Sequence, residues 1–306
     1  MEPVFVGIEI GGTKIQVVTG DGQARVKDRK RFVADSSRGG EGIREQIVVA
    51  LKEIQMKESI SSVGVGFGGP FNRETGLTSC SHQVAGWDNF PLKQWLSGLA
   101  DGATVNISND ANAAALAEAR VGAGQDKNLV FYITIGSGIG GGFVVNGQIY
   151  HGSLPSEMEV GHLRINHGGE TFESRCSGWS IDRRLRDYMT ANPDSYLTNI
   201  AQDDTAESKY LLSAINKGDE GARSIFDELC RDLALGLSHV VHILNPEVII
   251  LGGGLSLMGE PLREGVEMNL NQFIMSAMQP GPEVKLSMLK EDVVPVGALY
   301  LALMNK

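Results

Sequence analysis

Cysteine is scarce: three residues in a chain of 306 are too few, and odd in number, to staple a secreted disulfide scaffold. Cys80, Cys176 and Cys230 stand far apart without the paired spacing of a metal site, so free thiols in a reducing compartment are expected. Basic charge is also short, with 27 Lys and Arg against 37 Asp and Glu and a formal net charge of -10. No Lys/Arg cluster is present to displace counterions, which excludes nucleic acid as an expected partner. No apolar run approaches the roughly 20 residues that a membrane helix needs, so no membrane partner is expected either. The first residues enter a β-branched run without the basic segment and apolar core of a leader, and the expected address is the cytoplasm. Low-complexity tracts and long linkers are missing too. What remains is a globular α/β chain long enough for two domains.

Glycine is plentiful, and it falls between β-branched runs. Val4 to Ile10 and Lys14 to Thr19 flank Gly11-Gly12, and a third strand is predicted near Arg25 to Val33. Apolar spacing predicts a helix over Ile43 to Ile54, short strands at Val63 to Phe67 and Thr104 to Ser108, and an alanine-rich helix over Asp110 to Val121. The pattern then restarts. Leu129 to Ile135 and Gly142 to Val145 flank a second glycine turn, followed by helices near Ser177 to Met189, Ala206 to Asn216 and Gly221 to Leu244. A strand over Glu247 to Leu251 leads into Gly252-Gly253-Gly254, then a helix near Met258 to Met275, a strand near Glu283 to Leu289 and a last helix near Val294 to Met304. Strand, glycine turn, strand opens each half, which predicts an internal duplication with two like domains around a cleft.

Two segments match the G-x-G-x-x-G pattern, Gly64 to Gly69 and Gly136 to Gly141. A dinucleotide fingerprint must open a helix, whereas the first runs into Pro70 and the second into Phe143-Val144-Val145, so a Rossmann site is rejected. Gly11-Gly12-Thr13-Lys14 is no Walker loop either, because its Lys follows Thr. Turns of this kind can still bring backbone N–H groups onto phosphate oxygens; any single one reads better as a plain hairpin, but three, at Gly11, Gly136 and Gly252 in a duplicated chain, are harder to explain by packing alone. Asp110, in Ser108-Asn109-Asp110-Ala111-Asn112, has two readings: a helix N-cap, or a carboxylate that takes the proton from a hydroxyl attacking phosphorus. Glu159, His162 and Glu173 form a polar cluster able to hydrogen-bond vicinal hydroxyls. His239 and His242, one turn apart on a predicted helix, read as core or interface residues rather than metal ligands.

Taken together, these segments resemble the ROK family of sugar kinases and sugar-responsive repressors. The markers are Gly7 to Lys14, Gly86-Trp87-Asp88-Asn89-Phe90-Pro91-Leu92, Asn109-Asp110-Ala111-Asn112, Ile135 to Gly142, Glu159-Val160-Gly161-His162 and Leu251 to Gly254. The resemblance implies two actin-like (ribonuclease H-like) α/β domains around a central cleft, residues 1–118 and 119–292, with a helix over 293–306 folded back on the first. It implies transfer of a phosphoryl group from ATP, with Mg2+, to a hexose, glucose O6 first. Asp110 would be the base, with Asn109, Gly69, His82, Glu159, His162 and Glu173 about the sugar. Glu9, Gly11, Gly12, Thr13, Lys14, Gly136, Ser137, Gly138, Gly253 and Gly254 fall at the nucleotide positions. A homo-oligomer, a dimer first, is the expected assembly. A sugar-sensing regulator is the rival, weakened by a first strand that starts near Val4 and leaves no room for a DNA-binding segment.

Three departures stand out. Glu9 replaces the usual Asp, Gln83 replaces a frequent Asn, and the cysteine cluster that binds structural zinc in many members is absent between His162 and Glu173. No structural metal is therefore expected. Cys176 is predicted to be a packed core thiol, with Phe172 and Trp179 packing the loop in place of a metal.

Overall fold

The computed structural model describes residues 3–34, 38–79, 85–154, 156–201 and 206–304. Strand β1 (Pro3–Ile10) pairs antiparallel with β2 (Lys14–Gly20), with Ile10 opposite Ile15, so the intervening glycines close a tight turn. Strand β3 (Val26–Val33) follows antiparallel to β2. Helix α1 (Gly39–Gln55) then crosses over so that β4 (Ser59–Phe67) lies parallel to β1. After α2 (Leu92–Leu99), β5 (Thr104–Asn109) lies parallel to β4 and runs directly into α3 (Asp110–Val121). The sheet order is β3-β2-β1-β4-β5.

The second sheet uses β6 (Leu129–Ile135), β7 (Ile139–Val145) and β8 (Gln148–Ile149). It continues, past the helices α4 (Phe172–Cys176), α5 (Gly178–Ala191), α6 (Tyr196–Ile200), α7 (Leu211–Asn216) and α8 (Glu220–Leu244), with β9 (Val248–Gly252). Helix α9 (Glu260–Phe273), β10 (Glu283–Leu286) and α10 (Val293–Leu303) complete the chain. Its order is β10-β9-β6-β7-β8, with β9 parallel to β6 and β10 parallel to β9. Read from the other edge this is β8-β7-β6-β9-β10, the order of the first sheet element for element. The repeated strand–turn–strand pattern thus has a duplicated topology behind it.

The chain forms two compact units, one of Met1–Gln125, Gly142–Glu157 and Leu289–Lys306, the other of Asp126–Gly141 and Met158–Met288. In the first, Val4, Val6, Ile8 and Ile10 of β1 share a core with Ile43, Ile47, Ala50, Leu51 and Ile54 of α1, the helical stripe seen in the sequence. Helix α10 lies against α3, β1 and β4. That contact explains the first glycine-rich motif. A Cβ at Gly64 would sit 1.8 Å from the Ala298 carbonyl oxygen, and one at Gly297 would sit 1.9 Å from that of Ala113. Ser62 Oγ donates to the Ala302 carbonyl at 2.6 Å, and Asn106 Nδ2 to that of Leu301 at 2.8 Å, which fixes the end of the helix.

Some elements differ from expectation. The Ala206 to Asn216 helix is broken into a 3-10 turn (Glu207–Tyr210) and α7. Helices α2, α4 and α6 were not anticipated, because each is too short to show an apolar stripe; α4 rests on a capping box between Thr171 and Ser174. Phe172 is fully buried as expected, but Trp179 is 64% exposed and does not pack the loop. His242 Nε2 accepts from the Met275 N–H at 3.1 Å, a structural role.

Candidate functional site

In the first unit, the carboxyl ends of β1, β4 and β5 carry the candidate groups. Glu9 is 7% exposed, accepts from Gln16 Nε2 at 2.6 Å and lies 3.5 Å from Lys14 Nζ. Burial raises its pKa, and the charge of Asp110 raises it further, while Lys14 and Gln16 oppose the shift. Gly68 donates its N–H to the Ile10 carbonyl at 2.9 Å, and a Cβ there would come 3.2 Å from Asp110 Oδ2. The β4 turn therefore passes directly over the carboxylate, with Gly69 next in the chain. Gly11 donates to the Lys14 carbonyl at 3.1 Å, closing the turn, and Thr13 is exposed at its tip.

The two readings of Asp110 separate here. The N-cap of α3 is Asn109, whose Oδ1 accepts from the Ala111 N–H at 2.8 Å. Asp110 Oδ1 shares that donor at 2.8 Å. Asp110 is the first helical residue, half-buried, and burial pushes its carboxyl pKa up despite the backbone hydrogen bonds. A carboxylate with raised proton affinity and some open surface can act as a base.

In the second unit, the turn between β6 and β7 organises the rest. The Gly136 carbonyl accepts from the Gly178 N–H at 2.7 Å, and its own N–H donates to the Gly138 carbonyl at 2.9 Å. Nothing lies within 4 Å of where a Gly136 Cβ would be, so that side of the turn, beside Ser137, is open. Gly253 has φ 79°, and a Cβ there would be 2.5 Å from the Ile135 nitrogen, so only glycine brings the end of β9 this close to the turn. Gly254 beside it faces open space.

Glu173 joins the turn to the polar cluster. Its Oε2 accepts from the Ile139 N–H at 2.7 Å, and a Cβ on Gly138 would be 2.5 Å from the same oxygen. Gly161 packs on the Ile139 carbonyl, where a Cβ would be 2.4 Å away. The 3-10 turn Val160–His162 is closed by the His162 N–H donating to the Glu159 carbonyl at 3.1 Å, and both side chains are exposed. The second glycine-rich motif is thus fitted to Glu173 and to the Glu159–His162 segment. His82 and Gln83 lie outside the described residues. Cys176 is fully buried, and burial pushes its thiol pKa well up, the state of a core thiol.

One residue escaped the sequence reading. Glu157, with a side chain 5% exposed, accepts from Arg73 Nη2 at 3.0 and 3.1 Å and from Asn112 Nδ2 at 3.2 Å, and its Oε1 lies 2.9 Å from His151 Nδ1. Its partners stand 84, 45 and 6 residues away, a constellation with no local signature.

The model of the ROK family matches residues 5–305. A glucokinase of Thermotoga maritima is 32% identical over 96% of this chain and 95% of its own length. The crystal structure of a ROK family glucokinase from Streptomyces griseus in complex with glucose and AMPPNP superposes with a TM-score of 0.84 at 28% identity, covering 98% of this chain and 99% of that one. A xylose repressor of Caldicellulosiruptor bescii is 26% identical over 82% of this chain and 65% of its own length.

Proposed function

Since the chain belongs to the ROK family and has its pair of actin-like α/β folds, we propose that it is an ATP-dependent hexose kinase, with the 6-hydroxyl of glucose as the acceptor. The observation that carries this reading is Asp110, which leaves the N-cap position to Asn109 while sharing its Ala111 donor, and which burial makes hold a proton more tightly than an ordinary aspartate. In this reading Asp110 takes the hydroxyl proton as the sugar oxygen bonds to the γ-phosphorus. The bond from that phosphorus to the bridging oxygen breaks, and ADP leaves with the electron pair. Glu173, with one oxygen held by Ile139, offers Oε1 to a sugar hydroxyl, beside the hydrogen-bonding groups of Glu159 and His162. Gly69 and Asn109 border Asp110 and are assigned to the same sugar.

The nucleotide phosphates are assigned to the open turn at Gly136, Ser137 and Gly138 and to Gly11, Gly12, Thr13 and Lys14, with the nucleoside against Gly253 and Gly254. Backbone N–H groups and one Lys suit phosphate oxygens in an acidic protein. Glu9 is an oxygen donor of the kind Mg2+ takes, and its buried charge, with its pKa raised by burial and by the nearby Asp110 charge, is one that an added cation would relieve. A bound ion would supply charge neutralisation at the phosphates.

The likeness to a glucokinase supports glucose among hexoses; fructose, allose, mannose and N-acetylated amino sugars are the alternatives. A non-catalytic sugar sensor, the reading suggested by the repressor relative, needs no carboxylate of raised proton affinity beside a phosphate turn. A panel of these sugars with ATP and a coupled ADP readout tests the proposal. Glucose should give the highest kcat/KM, and no ADP release with any hexose would defeat the kinase reading.

A further inference from the structure

Glu157 sits where three segments of the first unit meet, and each leads to a candidate sugar contact. Arg73 belongs to the loop that leaves Gly69, a loop ordered by Asn72, whose Oδ1 accepts from the N–H groups of Glu74 and Thr75 at 3.0 and 2.9 Å. Asn112 belongs to the first turn of α3, which carries Asp110. Glu157 itself precedes Glu159 by two residues, with Met158 between them at a left-handed φ of 62°. His151 lies just past β8.

The position of Asn112 matters most. Two residues along a helix turn the side-chain direction by roughly 200°, so Asn112 and Asp110 leave α3 on opposite sides. A tether on Asn112 therefore fixes the rotation of the helix about its own axis, and with it the direction of the Asp110 carboxylate. Asn112 is 3% exposed, and its Oδ1 has no protein partner among the described residues. Its hold on the protein through the side chain runs through Nδ2, to Glu157 Oε1.

We propose that Glu157 is a positioning residue for sugar phosphorylation, a buried carboxylate that locks the Gly69 loop, the first turn of α3 and the approach to Glu159 into one arrangement. Arg73 and His151 hold the carboxylate, and the carboxylate holds Asn112. Burial by itself would raise the Glu157 pKa, but hydrogen bonds from His151 and its own backbone N–H, with the Arg73 charge, keep it below the ordinary value and the group ionised. Glu157 does not touch the reacting atoms in this account; it acts through α3 and the loop.

This inference rests on the kinase reading for its kinetic consequence but not for its structural one, and the test separates them. Glu157→Gln keeps the volume and removes the charge, and the partly exposed Arg73→Gln breaks the same link from the other side. Each should lower kcat/KM for the sugar about 2- to 30-fold, the range of indirect coupling, with the KM for ATP changed less than about 2-fold. Hydrogen exchange read by mass spectrometry on the ligand-free protein should quicken in residues 69–79 and 109–114 and stay unchanged in residues 248–273. Unchanged exchange in both segments, or equal losses toward sugar and ATP, would overturn the proposal. If the wild type phosphorylates no sugar while exchange still quickens in the variants, the kinase reading falls and the tether stands.

Discussion

Replacing Asp110 by Asn should do two opposite things. The change keeps the shape of the side chain and leaves Asn109 as the cap of α3, its Oδ1 still accepting from Ala111. Helix initiation is therefore spared, whereas the proposed base is lost. Loss of a general base lowers kcat by about 10²–10⁴-fold. Stability should move the other way. The folded pKa of Asp110 is raised by burial, so keeping it ionised costs folding free energy at any pH above that value. The penalty shrinks as pH falls through the folded pKa and is gone below the unfolded value, about pH 4. Asp110→Asn removes the penalty, a gain on the scale of about 0.5–2 kcal/mol typical of single stabilising substitutions. Glu9, whose pKa the Asp110 charge helps to raise, becomes easier to ionise as well. The assays are turnover at saturating ATP and sugar, and urea unfolding at about pH 4 and about pH 7.5. Near-normal turnover would return Asp110 to a structural role. A loss of stability, or a gain of equal size at both pH values, would refute the electrostatic reasoning.

Three further outcomes are expected. Gly297→Ala drives a Cβ to 1.9 Å from the Ala113 carbonyl, and since backbone cannot swing aside, thermal unfolding should drop by an amount reflecting about 1–3 kcal/mol or more. Gly138→Ala meets only the mobile end of Glu173; the carboxylate must turn away and lose the Ile139 N–H, so sugar affinity should fall about 10- to 200-fold with little change in melting temperature. Cys176 and Cys230 are buried, the latter with its pKa pushed up to about 12 by burial and the nearby Asp227 charge. Both should resist iodoacetamide in the native protein at about pH 8 and alkylate on unfolding, and elemental analysis should find no stoichiometric zinc.

The sequence made the inner strands legible because they are buried on both faces and read as continuous apolar runs, such as Val248 to Leu251, all fully buried. Glycine turns separated those runs, and the repeat of strand, turn and strand carried the duplicated order. Short helices were another matter. In α2 the buried residues are Leu92 and Leu96, too few to set a period, and in α4 a capping box takes the place of an apolar stripe. The sequence offered Asp110 as the cap of α3, but Asn109, as good a cap by type, holds that position through its Oδ1 bond to the Ala111 N–H.

The glycines show why a pattern of letters underdetermines its purpose. Gly64 and Gly138 open the same G-x-G-x-x-G spacing or stand within it, and neither motif opens a helix as a dinucleotide fingerprint does. Gly64 lets the carbonyl of Ala298 approach a strand; Gly138 leaves room for the carboxylate of Glu173. What the two share is the absence of a Cβ where another group must come close, and that group comes from 234 residues away in one case and 35 in the other. Glu157 presents the converse. A charged residue in a polar loop looks like a solvated side chain, and its role depends on Arg73 and Asn112, which the chain brings to it only after the first unit has folded. Residues proposed for local chemistry, such as Asp110, announce themselves by their place at the end of a strand. Residues whose function is to hold others in place carry no mark of it in the sequence, because the property belongs to the contact and not to the residue.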